Sequence, residues 1–355
     1  MSRIDKVRTQ LKERGIDAFL VTDLLNLRYL ANFTGTTGIA IITQEEAVFV
    51  TDFRYVQQAT KQAVGFTLLQ NKREIFTDIN DYLIAHNIKT VGIEADEMSV
   101  STYLRLQKLF EAEIVTTQGL VEKIREIKDE DELARIKQAC AITDEAFEHI
   151  LTFIKPGITE IQVANEMERF LKEKGAEAMS FDTIVASGYR SAMPHGVASD
   201  KVIEYGDVVT LDFGCYYNGY SSDMTRTIAV GKIDPKLEEI YHIVLEAHEA
   251  VNRAAKAGMT GKQLDSIARD YITEKGYGDY FGHGLGHAVG LNVHELPGLN
   301  QRSETPLEVN MVVTNEPGIY IDGLGGVRIE DDLIIQADGV EIINRSPKHL
   351  IILEA

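Results

Sequence analysis

One short passage of this sequence occurs twice, and the repetition restricts the fold more than any other feature. Lys155-Pro-Gly-Ile-Thr159 returns as Lys256-Ala-Gly-Met-Thr260, an offset of 101 positions (256 minus 155). At the same offset Glu145-Ala146 matches Glu246-Ala247, Gln162 matches Gln263, and Glu173-Lys-Gly175 matches Glu274-Lys-Gly276. Each copy reads as a helix, a glycine stop, a threonine N-cap and a second helix. Further along, Val208-Val-Thr-Leu-Asp-Phe-Gly214 matches Val312-Val-Thr-Asn-Glu-Pro-Gly318 at an offset of 104 (312 minus 208). Both are apolar strands that end in an acid. Two copies of about 100 residues predict a duplicated domain with a pseudo-twofold axis, since a solenoid stacks several shorter units.

The repeat has a chemical consequence. It makes Asp212 and Glu316 equivalent, and each half then offers a second acid after a hairpin: Asp223 in the first, Glu330 in the second. Asp212 and Asp223 lie eleven positions apart (223 minus 212), a spacing that two paired strands bring alongside. Either aspartate alone is an ordinary turn or cap residue. Strands of both halves facing across one axis, however, gather four carboxylates, and in a low-dielectric site such charges repel by many kcal/mol. Cations relieve that repulsion.

Three of the nine histidines fall within twelve residues, in Gly282-His283-Gly-Leu-Gly-His287-Ala-Val-Gly-Leu-Asn-Val-His294-Glu295. Neutral imidazole is the commonest nitrogen ligand for metals, and the interleaved glycines let backbone approach closely. Isolated histidines (His86, His149, His242, His248, His349) receive no role. In Thr314-Asn-Glu316-Pro-Gly318, Pro317 cannot continue a central strand, so the chain turns directly after Glu316 and presents it at a strand end. Arg328, two positions before Glu330, shares its strand face and can pair with a carboxylate. The set Asp212, Asp223, His287, Glu316 and Glu330 is oxygen-rich. It suits two divalent ions, Mn²⁺ best, with Co²⁺, Zn²⁺ or Fe²⁺ as alternatives, and not a thiolate zinc site. Two such ions activate water and polarise a carbonyl. The chain has no GxSxG elbow and no Cys/His nucleophile signature, so metal-assisted hydrolysis is the expected chemistry.

Upstream, residues 1–120 alternate strand candidates (18–21, 39–42, 47–50, 66–69, 91–93) with helical patterns near 3–14, 53–63, 74–86 and 100–111, an α/β layer with a partly parallel sheet. Gly35-Thr-Thr-Gly38 is too short for a nucleotide-binding loop. A charged run from Glu122 to Glu132 marks a boundary near residue 122, giving domains 1–122 and 123–355. The net charge of −19 argues against nucleic acid and anionic membranes as partners. The N-terminus lacks the apolar core of a signal peptide, and no apolar run approaches the roughly 20 residues of a membrane span. A cytoplasmic location is the expectation. Cys140 and Cys215 are no disulfide framework and read as buried small hydrophobes.

Taken together, LDFG…SDMTRT, HGLGHAVGLNVHE, NEPGIY and GVRIEDD resemble the metallopeptidases of the pita-bread fold, which include aminopeptidase P, prolidase and methionine aminopeptidase. YLANFTG at 29–35 and TDFRY at 51–55 resemble the creatinase-type N-terminal domain, which methionine aminopeptidases generally lack. The resemblance implies an α/β N-terminal domain followed by an α+β pita-bread catalytic domain. It implies that Asp212 binds one metal, that Asp223 and Glu330 bridge, and that His287 and Glu316 bind the other, with Glu316 also the general base. His283 and His294 would stabilise the intermediate and hold substrate, His195 in Met193-Pro-His-Gly196 would be the remaining active-site histidine, and Tyr320 and Arg328 would support the ligands. The implied substrate is a peptide with proline in second position, and the implied assembly a homodimer. Within the family, an Xaa-Pro aminopeptidase of the aminopeptidase P type is the leading expectation and a prolidase restricted to dipeptides the alternative. The intact ligand set disfavours a non-catalytic binding module and metal-free, creatinase-like hydrolysis.

Overall fold

The computed structural model describes residues 1–354, which form two compact units, Met1–Arg125 and Glu126–Ala355. In the first, β1 (Ala18–Val21), β2 (Ile39–Thr43), β3 (Ala47–Thr51), β4 (Thr67–Gln70), β5 (Thr90–Glu94) and β6 (Glu113–Thr117) build one sheet in the order β4-β3-β2-β1-β5-β6. β1 pairs antiparallel with β2 and parallel with β5, so the sheet is mixed. Helix α1 (Arg3–Arg14) precedes the sheet, helices α2 (Leu24–Ala31), α3 (Val56–Gln62), α4 (Ile75–Ala85) and α5 (Val100–Leu109) connect the strands, and α6 (Glu122–Arg125) follows the sheet. The central strands β1, β2 and β3 are buried at every position. This is the signature of a sheet covered on both faces. Local chemistry sets the helix ends: Ser2 and Asp5 make a capping box at the start of α1, and Gly15 closes it at φ 67°. All five strand candidates occur. β6 and α2 were not anticipated. β6 is a half-exposed edge strand with no clean alternation, and α2 is buried on most of its surface, so its apolar residues show no one-sided stripe.

The second unit shows the duplication directly. Helix α7 (Glu130–Leu151) leads to α8 (Glu160–Glu173), and α9 (Pro235–Ala254) leads to α10 (Gly261–Glu274). Thr159 caps α8 at φ −90°, ψ 158° with Gln162 closing a capping box; Thr260 caps α10 at φ −91°, ψ 156° with Gln263 in the same role. The preceding glycines take positive φ in both copies, 95° at Gly157 and 88° at Gly258. Even the tether between the helices of each pair recurs, since Gly157 N–H donates to Ile203 O and Gly258 N–H to Leu307 O.

The strands of this unit are β7 (Ala178–Met179), β8 (Ile184–Ser187), β9 (Val208–Phe213), β10 (Cys215–Tyr217), β11 (Tyr220–Ser221) and β12 (Met224–Val230) in the first half. The second half contributes β13 (Gly286–Ala288), β14 (Glu295–Leu299), β15 (Val312–Asn315), β16 (Gly318–Ile321), β17 (Gly325–Arg328), β18 (Asp331–Ile335) and β19 (Val340–Ile342), with β20 (Ile352–Leu353) returning to pair with β12. The principal sheets are β20-β12-β9-β8 and β14-β13-β15-β18-β19. β9 and β12 pair antiparallel, with Asp212 opposite Thr225; β15 and β18 pair antiparallel, with Asn315 opposite Asp331. Where the halves meet, Glu330 N–H donates to Thr225 O (3.1 Å) and Thr227 Oγ1 donates to Arg328 O (2.9 Å). Each helix pair packs an apolar face on its own half's strands. Phe147, Met167, Leu171 and Phe213 make one core, and Val244, Leu264, Val313 and Leu333 make the other. Each such fully buried side chain stabilises the fold by about 1.5–3 kcal/mol.

Candidate metal centre

The acids singled out in the sequence all stand at the ends of these paired strands. Asp212 is the penultimate residue of β9 and Asp223 directly precedes β12; Glu316 directly follows β15 and Glu330 directly precedes β18. The strand ends at Asn315, one residue before Glu316 and two before Pro317. His287 comes from β13. All five line one cavity of about 510 Å³, together with His195, His283, His294 and Arg328. Ligand atoms of Asp223, His287 and Glu330 lie within 4.8 Å of one another. The Nε2 atom of His287 sits 3.6 Å from Asp223 Oδ2 and 3.6 Å from Glu316 Oε1.

Tautomer and charge of the histidine follow from its surroundings. Its Nδ1 faces Ala288 O at 3.1 Å, and a carbonyl only accepts, so Nδ1 carries the proton and Nε2 keeps its lone pair toward the carboxylates. Burial, reinforced by the nearby His294, pulls the His287 pKa down to about 4. The imidazole is therefore neutral, which is the ligating form.

The carboxylates are shifted the opposite way. Burial first, then Glu330 and Asp212, hold Asp223 well above the usual carboxylate range. Burial first, then Glu316 and Asp212, do the same for Glu330. Glu316 is pushed up to about 8, again chiefly by burial, with Arg328 opposing and Asp212 adding. Asp223, Glu316 and Glu330 therefore hold protons until something positive replaces them. The buried oxygens Asp212 Oδ1 and Asp223 Oδ1 have no hydrogen-bond partner. Orphaned buried acceptors, a neutral imidazole lone pair and four convergent carboxylates fit divalent metal ions.

Neighbouring groups hold these side chains in place from outside. Arg328 donates through Nη2 to Asp212 Oδ2 (2.6 Å), through Nη1 to the Tyr320 hydroxyl (2.8 Å) and through Nε to Thr225 Oγ1 (3.1 Å). Thr225 Oγ1 in turn donates to Glu330 Oε2 (2.6 Å), and Thr314 Oγ1 donates to Glu316 Oε1 (3.3 Å) while accepting from His287 N–H (3.1 Å). His283 is tied at both nitrogens: Nδ1 donates to Gly284 O and Nε2 accepts from the Tyr320 hydroxyl, each at 2.8 Å. Arg328 thus bonds a carboxylate, as the sequence suggests, although that partner is Asp212 across the axis and not its strand neighbour Glu330.

Residues 134–337 match metallopeptidase family M24, and residues 3–127 match the creatinase/prolidase N-terminal domain. The chain belongs to family M24. It is a metallopeptidase by family, and the family implies divalent metal ions at its centre. The chain is 42% identical to an Xaa-Pro dipeptidase of Pyrococcus furiosus over 354 residues, covering 98% of this chain and 99% of that one. Among solved structures, an Xaa-Pro dipeptidase from Bacillus anthracis superposes with a TM-score of 0.98 at 54% identity, covering 99% of each chain. An X-Pro aminopeptidase from Thermotoga maritima superposes with a TM-score of 0.90 at 42% identity, covering 96% of this chain and 99% of that one. These likenesses extend over both units, so the M24 chain has the pita-bread fold behind a creatinase-type domain.

The M24 cavity also has walls that motif reading left out: Phe181, Asp182, Ile184, Pro194, Val197 and Asn300. Only His195 from this stretch was anticipated, and only through the family resemblance. Thr225 carried a signal, because it sits two residues beyond Asp223 and so shares its strand face. No helix among the described residues is long and apolar enough to cross a membrane.

Proposed function

We propose that this M24 protein is an Xaa-Pro dipeptidase with a dinuclear centre held by Asp212, Asp223, His287, Glu316 and Glu330. The observation that carries the reading is the convergence of four buried carboxylates on one neutral imidazole lone pair, with acceptor oxygens left unpartnered. The oxygen-rich donor set favours Mn²⁺. When bound, the two ions lower the pKa of a water molecule and polarise the substrate carbonyl.

The chain's own residues do the rest. Glu316 takes the water proton on a carboxylate oxygen and delivers it to the imide nitrogen as the carbon–nitrogen bond breaks. Hydroxyl is left on the Xaa carbonyl carbon and hydrogen on the proline nitrogen. His283, His294 and His195 surround the substrate in the cavity, and Arg328 holds the Asp212 carboxylate in place while the Tyr320 hydroxyl fixes the His283 ring. Named relatives of both dipeptidase and aminopeptidase type exist, and the dipeptidases among them favour a substrate that ends at proline over the longer peptides first expected. A homodimeric, cytoplasmic protein belongs to the same proposal, tested by light scattering and cell fractionation.

The deciding experiment compares turnover of Met-Pro with Met-Pro-Gly and Met-Pro-Gly-Gly by the Mn²⁺-loaded protein. Dipeptide cleavage that is lost on chelation, and nearly abolished in Glu316→Gln, supports the reading. Comparable cleavage of the longer peptides would instead make the protein an aminopeptidase.

A further inference from the structure

Glu160 is the first residue of α8, lies outside the cavity and has no exposed surface. Its carboxylate accepts an unusual number of hydrogen bonds from two separate places. Oε1 takes the N–H of Ser187 (2.7 Å) and its hydroxyl (2.8 Å). Oε2 takes the N–H of Ser199 (3.0 Å), its hydroxyl (2.6 Å), and an Arg190 guanidinium nitrogen. Ser187 ends β8, and Ser199 lies beyond the excursion 188–198, so one side chain grips both feet of that loop.

The loop forms a wall of the active-site cavity through Pro194, His195 and Val197. The imidazole of His195 makes no hydrogen bond among the described residues, so its position is set by the backbone that carries it. The first part of the loop, Gly188–Ala192, is a short 3-10 helix packed against β17, and the stretch that carries His195 follows it. Arg190, itself held by Glu160, donates through Nη2 to Val197 O (2.9 Å), two residues past His195. Ser191 Oγ accepts from Gly326 N–H on β17 (2.8 Å), and short backbone bridges join Val197 to Ile184 and Val202 to Thr159. Tyr189 and Met193 are more than half exposed, so little apolar packing holds the middle of the loop.

We propose that Glu160 is a positioning residue for substrate: by clamping Ser187 and Ser199 it fixes where His195 stands in the cavity, without touching substrate itself. The clamp uses charge-assisted bonds to a buried carboxylate, which are stronger and shorter than neutral ones. Their loss frees a loop whose displacement by about 1 Å is enough to cost up to about a hundredfold in rate. The inference rests on the Xaa-Pro dipeptidase reading.

The test is a cycle of Glu160→Gln, His195→Ala and the double variant, assayed on Met-Pro, with Mn²⁺ affinity measured separately by calorimetry. A glutamine amide turns donors toward the donors of one foot, so that foot opens while the side-chain volume is kept. Expected are a KM raised about tenfold or more with a smaller change in kcat, Mn²⁺ affinity within about twofold of wild type, and a double variant no worse than His195→Ala alone. Additive losses, or a loss of Mn²⁺ affinity matching the loss of activity, would overturn the proposal. Should Glu160→Gln fail to fold, Ser199→Ala removes one hydroxyl donor at one foot and must raise KM in the same direction; an unchanged KM refutes the clamp. A wild-type protein that binds Mn²⁺ but leaves Met-Pro intact points to the dipeptidase reading as the failure. Wild-type cleavage with an indifferent Glu160→Gln points to the clamp.

Discussion

Loading the centre with metal must expel protons, and the number can be worked out from the site. Without ions Glu316 titrates near 8, chiefly because it is buried, so at about pH 7 it is roughly nine-tenths protonated. A bound metal requires the carboxylate, so Glu316 alone releases about one proton per protein on loading. Asp223 and Glu330 are shifted in the same direction, by burial and by each other's neighbours, and add to that number. His287, depressed to about 4, is already neutral and adds nothing. The sign is therefore definite. Metal affinity rises with pH through the range in which these acids titrate, by about tenfold per pH unit for each proton displaced. Calorimetric Mn²⁺ titrations in buffers of different ionisation enthalpy count the protons directly: at about pH 7 the count should be one or more, and Glu316→Gln should lower it by about one. Heats independent of buffer, together with an affinity that does not change with pH, would refute the reasoning. The carboxylates would then be ionised without metal, and the repulsion argument for the site would fail.

Two further outcomes concern stability. His248 is fully buried beside Asp331, and burial lowers its pKa to about 4; the unfolded chain binds its proton first, so acidifying from about pH 6.5 to 4 removes about 3 kcal/mol, a slope that urea melts of His248→Asn should lack. In the first unit, buried Glu94 accepts from Thr22 N–H (2.6 Å), Asp23 N–H (2.8 Å) and Asn26 Nδ2 (2.8 Å); Glu94→Ala strands these donors and should cost about 3 kcal/mol, read as earlier unfolding in urea with Mn²⁺ affinity unchanged.

The parts of this architecture legible in sequence were those written in local chemistry. Thr159 and Thr260 adopt near-identical cap geometry because each is followed by glutamine at the third helical position, a pattern visible without coordinates. Pro317 placed Glu316 at a strand end for a steric reason that any fold must respect. Asp212, Asp223, Glu316 and Glu330 could be grouped because the duplication supplied the missing long-range relation. Where no such relation existed, reading failed. Glu160 looks like an ordinary acid in the first turn of a helix, and nothing local links it to Ser187 or Ser199, some 27 and 39 positions away. Asp332 accepts the backbone N–H of Asp223 from 109 positions away, and Phe181 and Asn300 reach the cavity from connecting segments without motif or period. The short strands β7, β10, β11 and β20, two or three residues each, offer no alternation to detect.

The meeting of Glu330 with Thr225 across the pseudo-twofold axis has a consequence for how such a chain can diversify. Each copy of the duplication brings two acids, and neither pair alone completes the centre, so the binding centre is also the seam of the molecule. Away from the seam the copies can drift apart, as the helices of the two halves have done while keeping their caps. At the seam a change in one copy alters the charge balance of both. The centre therefore ties two once-equivalent segments into a single unit of inheritance, and neither is a module that could be exchanged alone.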